Sequence, residues 1–305
     1  MKVLLTGANG FLGQYVKKRL LNDGVEVFTT DLAGSSDFEG DLSNVEFVKT
    51  LPDVDTVIHC AAVQYVTKHK PLFNWKKYFT KHNIQATQNI INRYKNSSTH
   101  FVHVGTSMQY EQNGAEQYSE NSPMGSQGVY SWSKLQAQDI VNSSGLNTAT
   151  IVPCIIGGPG REGLFAGFVN TIGRYSVAII PGKGVHKISI VHVDDVAKLL
   201  CHVAHHRLTG SYNAAADNPL SITEWAQIIG TTLKKPKVKI IRLPLLPFKV
   251  LGVLSGYRLL ASEQLLMLSM PHVLSTEKSR SLGLSTNQSS EKIITDITMH
   301  LTAKK

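Results

Sequence analysis

Acidic residues are scarce in this chain and cysteines scarcer. Against 31 Lys and Arg stand 22 Asp and Glu, so 305 residues carry a net charge of +9. That excess favours an anionic ligand or an acidic surface nearby. The basic clusters are short (Lys17-Lys18-Arg19, Lys76-Lys77, Lys234-Lys235) and no aromatic-basic ladder accompanies them, so no nucleic-acid partner is expected. Cys60, Cys154 and Cys201 are odd in number and far apart, which argues against a disulfide framework and a zinc cluster. They read as buried thiols of a reducing, cytoplasmic setting. The 12 histidines show no HExxH or other ligand spacing, and no metal is expected. The apolar stretch Leu243–Tyr257 is too short, and too broken by Pro and Lys, to cross a bilayer. Core or pocket lining is its expected role, with a dimer surface or a peripheral membrane contact as alternatives. A first strand starting at residue 2 leaves no room for a signal peptide, so the Asn-x-Ser/Thr strings at Asn96, Asn142 and Asn287 read as chance. Internal repeats and low-complexity tracts are also lacking.

Glycine is placed with purpose. Thr6-Gly-Ala-Asn-Gly-Phe-Leu-Gly13 follows the apolar strand Lys2–Leu5 and runs into a helical pattern over Phe11–Leu21. Gly7 relieves a sharp strand-to-helix turn, Gly10 lets a pyrophosphate approach the backbone, and Gly13 lets helix and strand pack closely. The helix then directs free N–H groups and its positive dipole end at phosphate oxygens. The first two glycines lie one residue further apart than in the usual dinucleotide fingerprint.

Further strands are expected at Val25–Asp31, at a short extended segment closed by Asp41-Leu42, at Asp55–Ala62, Thr99–Thr106 and Ala149–Pro153. Helical patterns cover Leu72–Tyr94 and Val129–Ser143. Alternating strands and helices with continuous apolar strand runs predict an α/β fold with a doubly wound parallel sheet. Beyond residue 153 the texture changes: Gly157-Gly-Pro-Gly160 and Pro181-Gly-Lys-Gly184 mark loops. Ile188–Val193 reads as a strand entering a helix at Asp194–Ala204, and Ser221–Leu233 as a helix with Glu224 placed for a capping box. Helical patterns continue to about Met270, and two amphipathic helices are expected in Ser275–Leu301. The size fits one two-lobed unit or two modest domains.

Tyr130-Ser-Trp-Ser-Lys134 places a phenol and an ammonium on one helix face. An adjacent ammonium favours the tyrosinate, so the Tyr130 pKa is expected to fall toward neutrality, as a general acid/base for a secondary alcohol or ketone requires. Val104-Gly-Thr-Ser-Met-Gln-Tyr110 begins at a strand's C-terminal end, where doubly wound folds hold their ligands. From there the Thr106 hydroxyl could bond the reacting oxygen, with Ser107 beside it.

Taken in order, Thr6–Gly13, Asp31, Asp41-Leu42, His59-Cys-Ala-Ala62, Asn83–Asn89, Thr106, Tyr130/Lys134, Pro153 with Gly158-Pro-Gly160, and Val191–Ala197 resemble an extended short-chain dehydrogenase/reductase of the NAD-dependent epimerase/dehydratase superfamily. The resemblance covers nearly the whole chain. It implies a Rossmann domain of residues 1–153 with 185–214, and a smaller, mostly helical substrate-binding lobe of 154–184 with 215–305. It further implies that the stretch Gly7, Asn9, Gly10, Phe11, Leu12 and Gly13 holds the cofactor pyrophosphate and Asp41 with Leu42 the adenine. Ala61 and Ala62 would line the cofactor's floor, and Pro153 would meet the nicotinamide carboxamide. Thr106, Tyr130 and Lys134 would form the catalytic group, Lys134 also bonding the nicotinamide ribose and Asn83 bracing the active-site helix. Asp31 can accept both hydroxyls of a ribose diol and would repel a 2′-phosphate. Residues 32–37 offer no Lys or Arg, so NAD is the expected cofactor.

Departures from the pattern bear on the small-molecule substrate. Nucleotide-sugar members carry an Asn before the Gly-Pro-Gly, where this chain has Ile155. They also carry an Arg near Ile188, and Lys187 here is one residue off. The resemblance therefore points to a hydroxysteroid dehydrogenase-like oxidoreductase acting on a largely apolar alcohol or ketone. A nucleotide-sugar epimerase or dehydratase is the first alternative, although the acidic residues of dehydratases are replaced by Ser107-Met108. The second is a non-catalytic NAD(H)-binding sensor or assembly protein, which would commonly have lost Tyr130 or Lys134. A homodimer through the long helices rests on fold analogy alone.

Overall fold

The structure is a computed structural model that describes all residues except 66–70, 72–73, 162–163, 257–260, 285 and 304–305. The chain opens with strand β1 (Lys2–Thr6), helix α1 (Phe11–Asn22), β2 (Glu26–Asp31), β3 (Phe38–Glu39), α2 (Val45–Lys49) and β4 (Thr56–His59). Helices α3 (Trp75–Phe79) and α4 (Ala86–Tyr94) are joined by a π-helical turn over Thr80–Gln85. They form the helix expected over Leu72–Tyr94, of which 72–73 lie outside the described residues. β5 (His100–Val104), α5 (Val129–Asn142) and β6 (Asn147–Pro153) complete the first half.

All seven strands of the main sheet run parallel in the order β11-β6-β5-β4-β1-β2-β3, with β11 at Gly210–Ala214. The order in which the chain adds strands reverses across the parallel β1/β4 pair, so their carboxyl ends open a crevice for a ligand. Side chains alternate across the sheet as the strand pleat demands. Val3 and Leu5 face the cluster containing Val16 and Leu20 of α1, while Leu4 and Val57 face Ala86, Ile90 and Tyr94 of α4. Both faces are covered, which explains the continuous apolar strand runs.

The second lobe is built from short pieces. β7 (Ile155–Gly157), α6 (Leu164–Tyr175), β8 (Val177–Pro181), β9 (Lys187–Ile188), β10 (Ile190–His192) and α7 (Val193–His205) precede β11. β12 (Leu220–Ser221), α8 (Ile222–Thr232), β13 (Lys239–Leu243), α9 (Leu245–Leu254), α10 (Ser262–Ser269), α11 (Glu277–Ser281) and α12 (Ser290–Ala303) follow it. The strand expected at Ile188–Val193 is two short pieces, and neither joins the main sheet: β9 pairs with β12 and β10 with β7. β8 pairs in parallel with β13. Ile188, Trp225, Leu265 and Ile293 centre a core separate from those flanking the main sheet. The apolar stretch Leu243–Tyr257, whose last residue lies outside the described ones, is the end of β13 followed by α9.

The capping box on α8 is present. Ser221 Oγ accepts from Glu224 N at 3.3 Å, and Ser221 N donates to Glu224 Oε2 at 2.7 Å. Burial opposes the Glu224 charge, but hydrogen bonds from Lys187 and Ser221 outweigh it and bring the carboxyl down to about 2. A depressed folded pKa stabilises above the unfolded value of 4.5 and is lost as pH falls through about 2. Glu224→Gln is expected to lower stability at pH 7 by less than about 1 kcal/mol, because the pair is partly solvated. Thermal melts should show that deficit shrinking between pH 4.5 and 2; a deficit equal at pH 7 and pH 3 would contradict this reading.

Candidate active site

The turn between β1 and α1 is held by backbone contact. Gly7 has φ +68°, and a Cβ on it would meet Ala61 N at 2.7 Å, just past the end of β4. A Cβ on Gly13 would strike the Gly7 carbonyl and meet Ala8 Cα at 2.9 Å. Gly10 is different: a Cβ there would meet only Gly7 O, at 3.1 Å. No side chain caps α1 at Gly10, and its first turn has no acid, so its leading N–H groups are free for an anion.

Asp31 lies at the end of β2, against this turn. It accepts from Asn9 N at 2.8 Å through Oδ2 and from Leu32 N at 2.7 Å through Oδ1, and each oxygen keeps a lone pair for an incoming hydroxyl. Asn9 also donates to Ala33 O at 2.9 Å. Phe11 and Leu12 open α1 and are half-buried. Ala61 N donates to Thr6 Oγ1 at 3.2 Å, and Ala62 is exposed at the same edge. Asp41 pairs with Lys81 at 2.8 Å and accepts from Ser43 N at 2.9 Å. Burial opposes its charge, and those bonds outweigh it and bring it down to about 2. Leu42 is buried, its carbonyl receiving Asn89 Nδ2 at 3.0 Å. Pro153, at the end of β6, pairs with Ala214 of β11. These residues ring the carboxyl edge of the sheet and suit a dinucleotide: a cradle only glycine permits, an uncapped helix start for pyrophosphate and a carboxylate for a ribose diol.

Tyr130 and Thr106 meet. Tyr130 lies in the first turn of α5, packed among Tyr65, Phe79 and Ala261 with Met108 beside them, and Thr106 hydrogen-bonds its phenol. Gln64 also bonds the phenol, and Arg161 faces it. The expectation that Lys134 draws Tyr130 toward neutrality is corrected here. Burial first, and the Glu263 carboxylate second, push the phenol up to about 12, only partly offset by Thr106, Arg161 and Gln64. Lys134 Nζ points elsewhere, donating to Val104 O at 2.6 Å and lying 3.4 Å from His103 Nε2. Burial brings that ammonium down to about 8, although Cys60 raises it. An ammonium has three donors, so one remains for a further partner.

Glu263 and Arg161 went unnoticed in the sequence. Glu263, on α10, is 2% exposed, and its Oε2 accepts from Ser131 N at 3.1 Å at the start of α5. A Cβ on Gly128 would sit 2.8 Å from the Glu263 carboxyl carbon, so Gly128 admits this contact. The Glu263 carboxylate disfavours tyrosinate beside it. Arg161 lies over the Phe11 ring with 5.7 Å between guanidinium carbon and centroid, linking the glycine turn to Tyr130. A lone acid in the apolar stretch before residue 270 was the only sequence signal for Glu263. Asn83 lies in the π turn and clamps two segments: Oδ1 accepts from Val63 N at 2.8 Å, and Nδ2 donates to Ser133 Oγ of α5 at 2.9 Å. Of the departures, Ile188 is buried in the second-lobe core, and Lys187 bonds Glu224 at 2.7 Å.

Residues 3–215 match the NAD dependent epimerase/dehydratase family, and the chain belongs to that family. Among curated proteins it is similar to vestitone reductase of Medicago sativa, 24% identical over 281 residues that cover 79% of this chain and 83% of that one. It is also similar to 2-alkyl-3-oxoalkanoate reductase of Stenotrophomonas maltophilia, 26% identical over 221 residues that cover 65% and 63% of the two chains. Two other curated relatives are matched over 59% and 50% of their length, so the chain spans about half to two thirds of several proteins it resembles. Its fold matches UDP-glucose 4-epimerase of Thermus thermophilus in complex with NAD, with a TM-score of 0.78, 19% identity and full coverage of both chains.

The turn geometry separates two glycine substitutions. Gly10→Ala should keep the melting temperature within about 2 °C yet weaken NAD binding about tenfold or more, as a methyl group enters the phosphate path. Gly13→Ala should lower the melting temperature itself, because its Cβ meets backbone. Calorimetric titration with NAD alongside thermal melts checks both; full NAD affinity in Gly10→Ala would contradict the assignment.

Proposed function

We propose that this protein interconverts a secondary alcohol and a ketone on a largely apolar substrate, using NAD(H). The observation that carries the reading is the hydrogen bond between Thr106 and Tyr130 at the carboxyl edge of β5, beside the glycine turn. NAD, when bound, supplies a hydride acceptor and its reduced form a hydride donor. Gly7, Gly10 and Gly13 would hold its pyrophosphate, Asp31 its ribose diol, Asp41 and Leu42 its adenine, and Ala61, Ala62 and Pro153 its nicotinamide side. The third N–H of Lys134 is available for the nicotinamide ribose. Tighter binding of NADP(H) than of NAD(H) would contradict the role given to Asp31.

In the reducing direction Tyr130 donates its phenolic proton to the carbonyl oxygen while the Thr106 hydroxyl holds that oxygen in place. With the phenol pushed up to about 12, Tyr130 is protonated at neutral pH before cofactor binds, so the proton donor is ready. In the oxidising direction tyrosinate takes the hydroxyl proton, a form favoured by Arg161 and by the positive nicotinamide ring. A general acid/base of this kind is worth about 10²–10⁴ in rate.

An apolar substrate is supported by the side chains around the phenol, Tyr65, Phe79, Met108 and Ala261. The names of the two curated relatives, both reductases, one of a 3-oxoalkanoate bearing an alkyl group, agree with it. The nucleotide-sugar reading is supported by the fold shared with the Thermus epimerase; binding of a uridine diphosphate sugar would favour it.

Tyr130→Phe is expected to lower turnover of a ketone panel with NADH by about 10²–10⁴ while leaving NAD affinity within about threefold. Single-turnover kinetics and calorimetry measure the two separately. Equal loss of both would make Tyr130 structural and end the proposal.

A further inference from the structure

The second lobe carries an apolar face that nothing among the described residues covers. Nine of the fifteen exposed large hydrophobic residues fall between Tyr175 and Leu254, among the described residues. The centre is α9, where Leu246 is 68% exposed and Leu254 80%, with Val250, Leu251 and Val253 also facing out. Leu245 and Phe248 pack inward on the lobe core, so the helix is anchored by one side and bare on the other. Contiguous exposed apolar surface of this kind marks an interaction site.

The charge along this part of the sequence says what the face meets. Between Glu224 and Glu263 there is no acidic residue, whereas Lys234, Lys235, Lys237, Lys239, Arg242 and Lys249 lie in that interval. Lys249 is exposed on α9 itself, and Arg242 Nε donates to Lys183 O at 2.9 Å, adding Lys183 as a seventh cation near the start of the helix. Gly182 N donates to Leu243 O at 2.8 Å, which fixes that turn against the end of β13. Among the described residues, none of these seven cations pairs with a carboxylate, although cations elsewhere in the chain do.

We propose that α9 and the cations flanking it dock the protein on an anionic lipid bilayer, the helix lying in the interface plane. Bare leucine and valine side chains enter the acyl boundary while lysine and arginine meet the headgroups. No helix among the described residues is long and apolar enough to cross a membrane, which fits a helix that lies on one. A second copy of the chain is the weaker occupant: a two-fold contact would set these cations against their own copies with no acid to offset them. Docking here would also bring lipid toward the site, because α9 is followed by α10, which carries Glu263 to the start of α5. This inference is independent of the alcohol–ketone reading and can fail without it.

Cosedimentation of the full chain with phosphatidylcholine vesicles containing about one-third phosphatidylserine tests it. Binding is expected, at least about tenfold stronger than to pure phosphatidylcholine and weakened by added salt, since each basic residue near such a surface is worth a factor of about five. Leu246→Glu/Leu254→Glu should reduce that binding about tenfold or more with an unchanged circular dichroism spectrum and melting temperature. Lys239→Gln/Lys249→Gln should do so by charge alone. Absence of binding to the anionic vesicles, or undiminished binding by the leucine double variant, would overturn the proposal. So would sedimentation velocity showing a lipid-free dimer that the leucine variant converts to monomer.

Discussion

The closeness of two backbones sets the terms for everything at the sheet's carboxyl edge. Gly7 lies so near Ala61 that a methyl group on it would sit 2.7 Å from that amide nitrogen, and the Gly7 carbonyl in turn excludes any side chain at Gly13. Because the β1–α1 turn is this tight, the start of α1 aims into the crevice, and Asp31 can brace the turn through Asn9. The shape of this turn is a consequence of packing, and it suits a dinucleotide before any ligand arrives.

Opposite that cradle, Tyr130 is governed by what surrounds it rather than by its helix neighbour. Aromatic packing strips water from the phenol, and Glu263, held by the N-terminus of α5, adds a negative charge beside it. Thr106, Gln64 and Arg161 pull the other way without prevailing. Lys134 is tied to Val104 and lies against His103, so its influence reaches the site mainly through the partner its third N–H takes. On the proposed reading, the positive charge of an oxidised nicotinamide would favour the tyrosinate form of Tyr130 and so couple cofactor state to the readiness of the base.

Much of this was legible because the signals are local. Three glycines at fixed spacing, the Tyr-x-x-x-Lys face and an acid at the end of β2 are each decided within a few residues of chain, and the parallel sheet follows from alternating patterns. Glu263 and Arg161 were illegible for the opposite reason: their meaning lies in partners 132 residues away for Glu263 and Ser131, and far along the chain for Arg161 over Phe11. The π turn at Thr80–Gln85 changes which face Asn83 presents, and no periodicity announces a one-residue slip. The short pairs β7 with β10 and β9 with β12 contain two or three residues each, too few to show a pattern. The fall in the Tyr130 pKa failed because i, i+4 spacing puts two side chains on one face but does not decide where a long amine points.

The ionisation of Tyr130, followed by NMR of the ring carbon bearing the hydroxyl against Tyr130→Phe as the blank, tests the account most directly. Without cofactor the phenol should titrate well above neutrality, and saturating NAD⁺ should move its midpoint down by about one unit or more. A midpoint at or below neutrality in the cofactor-free protein, or one that NAD⁺ leaves unmoved, would contradict it.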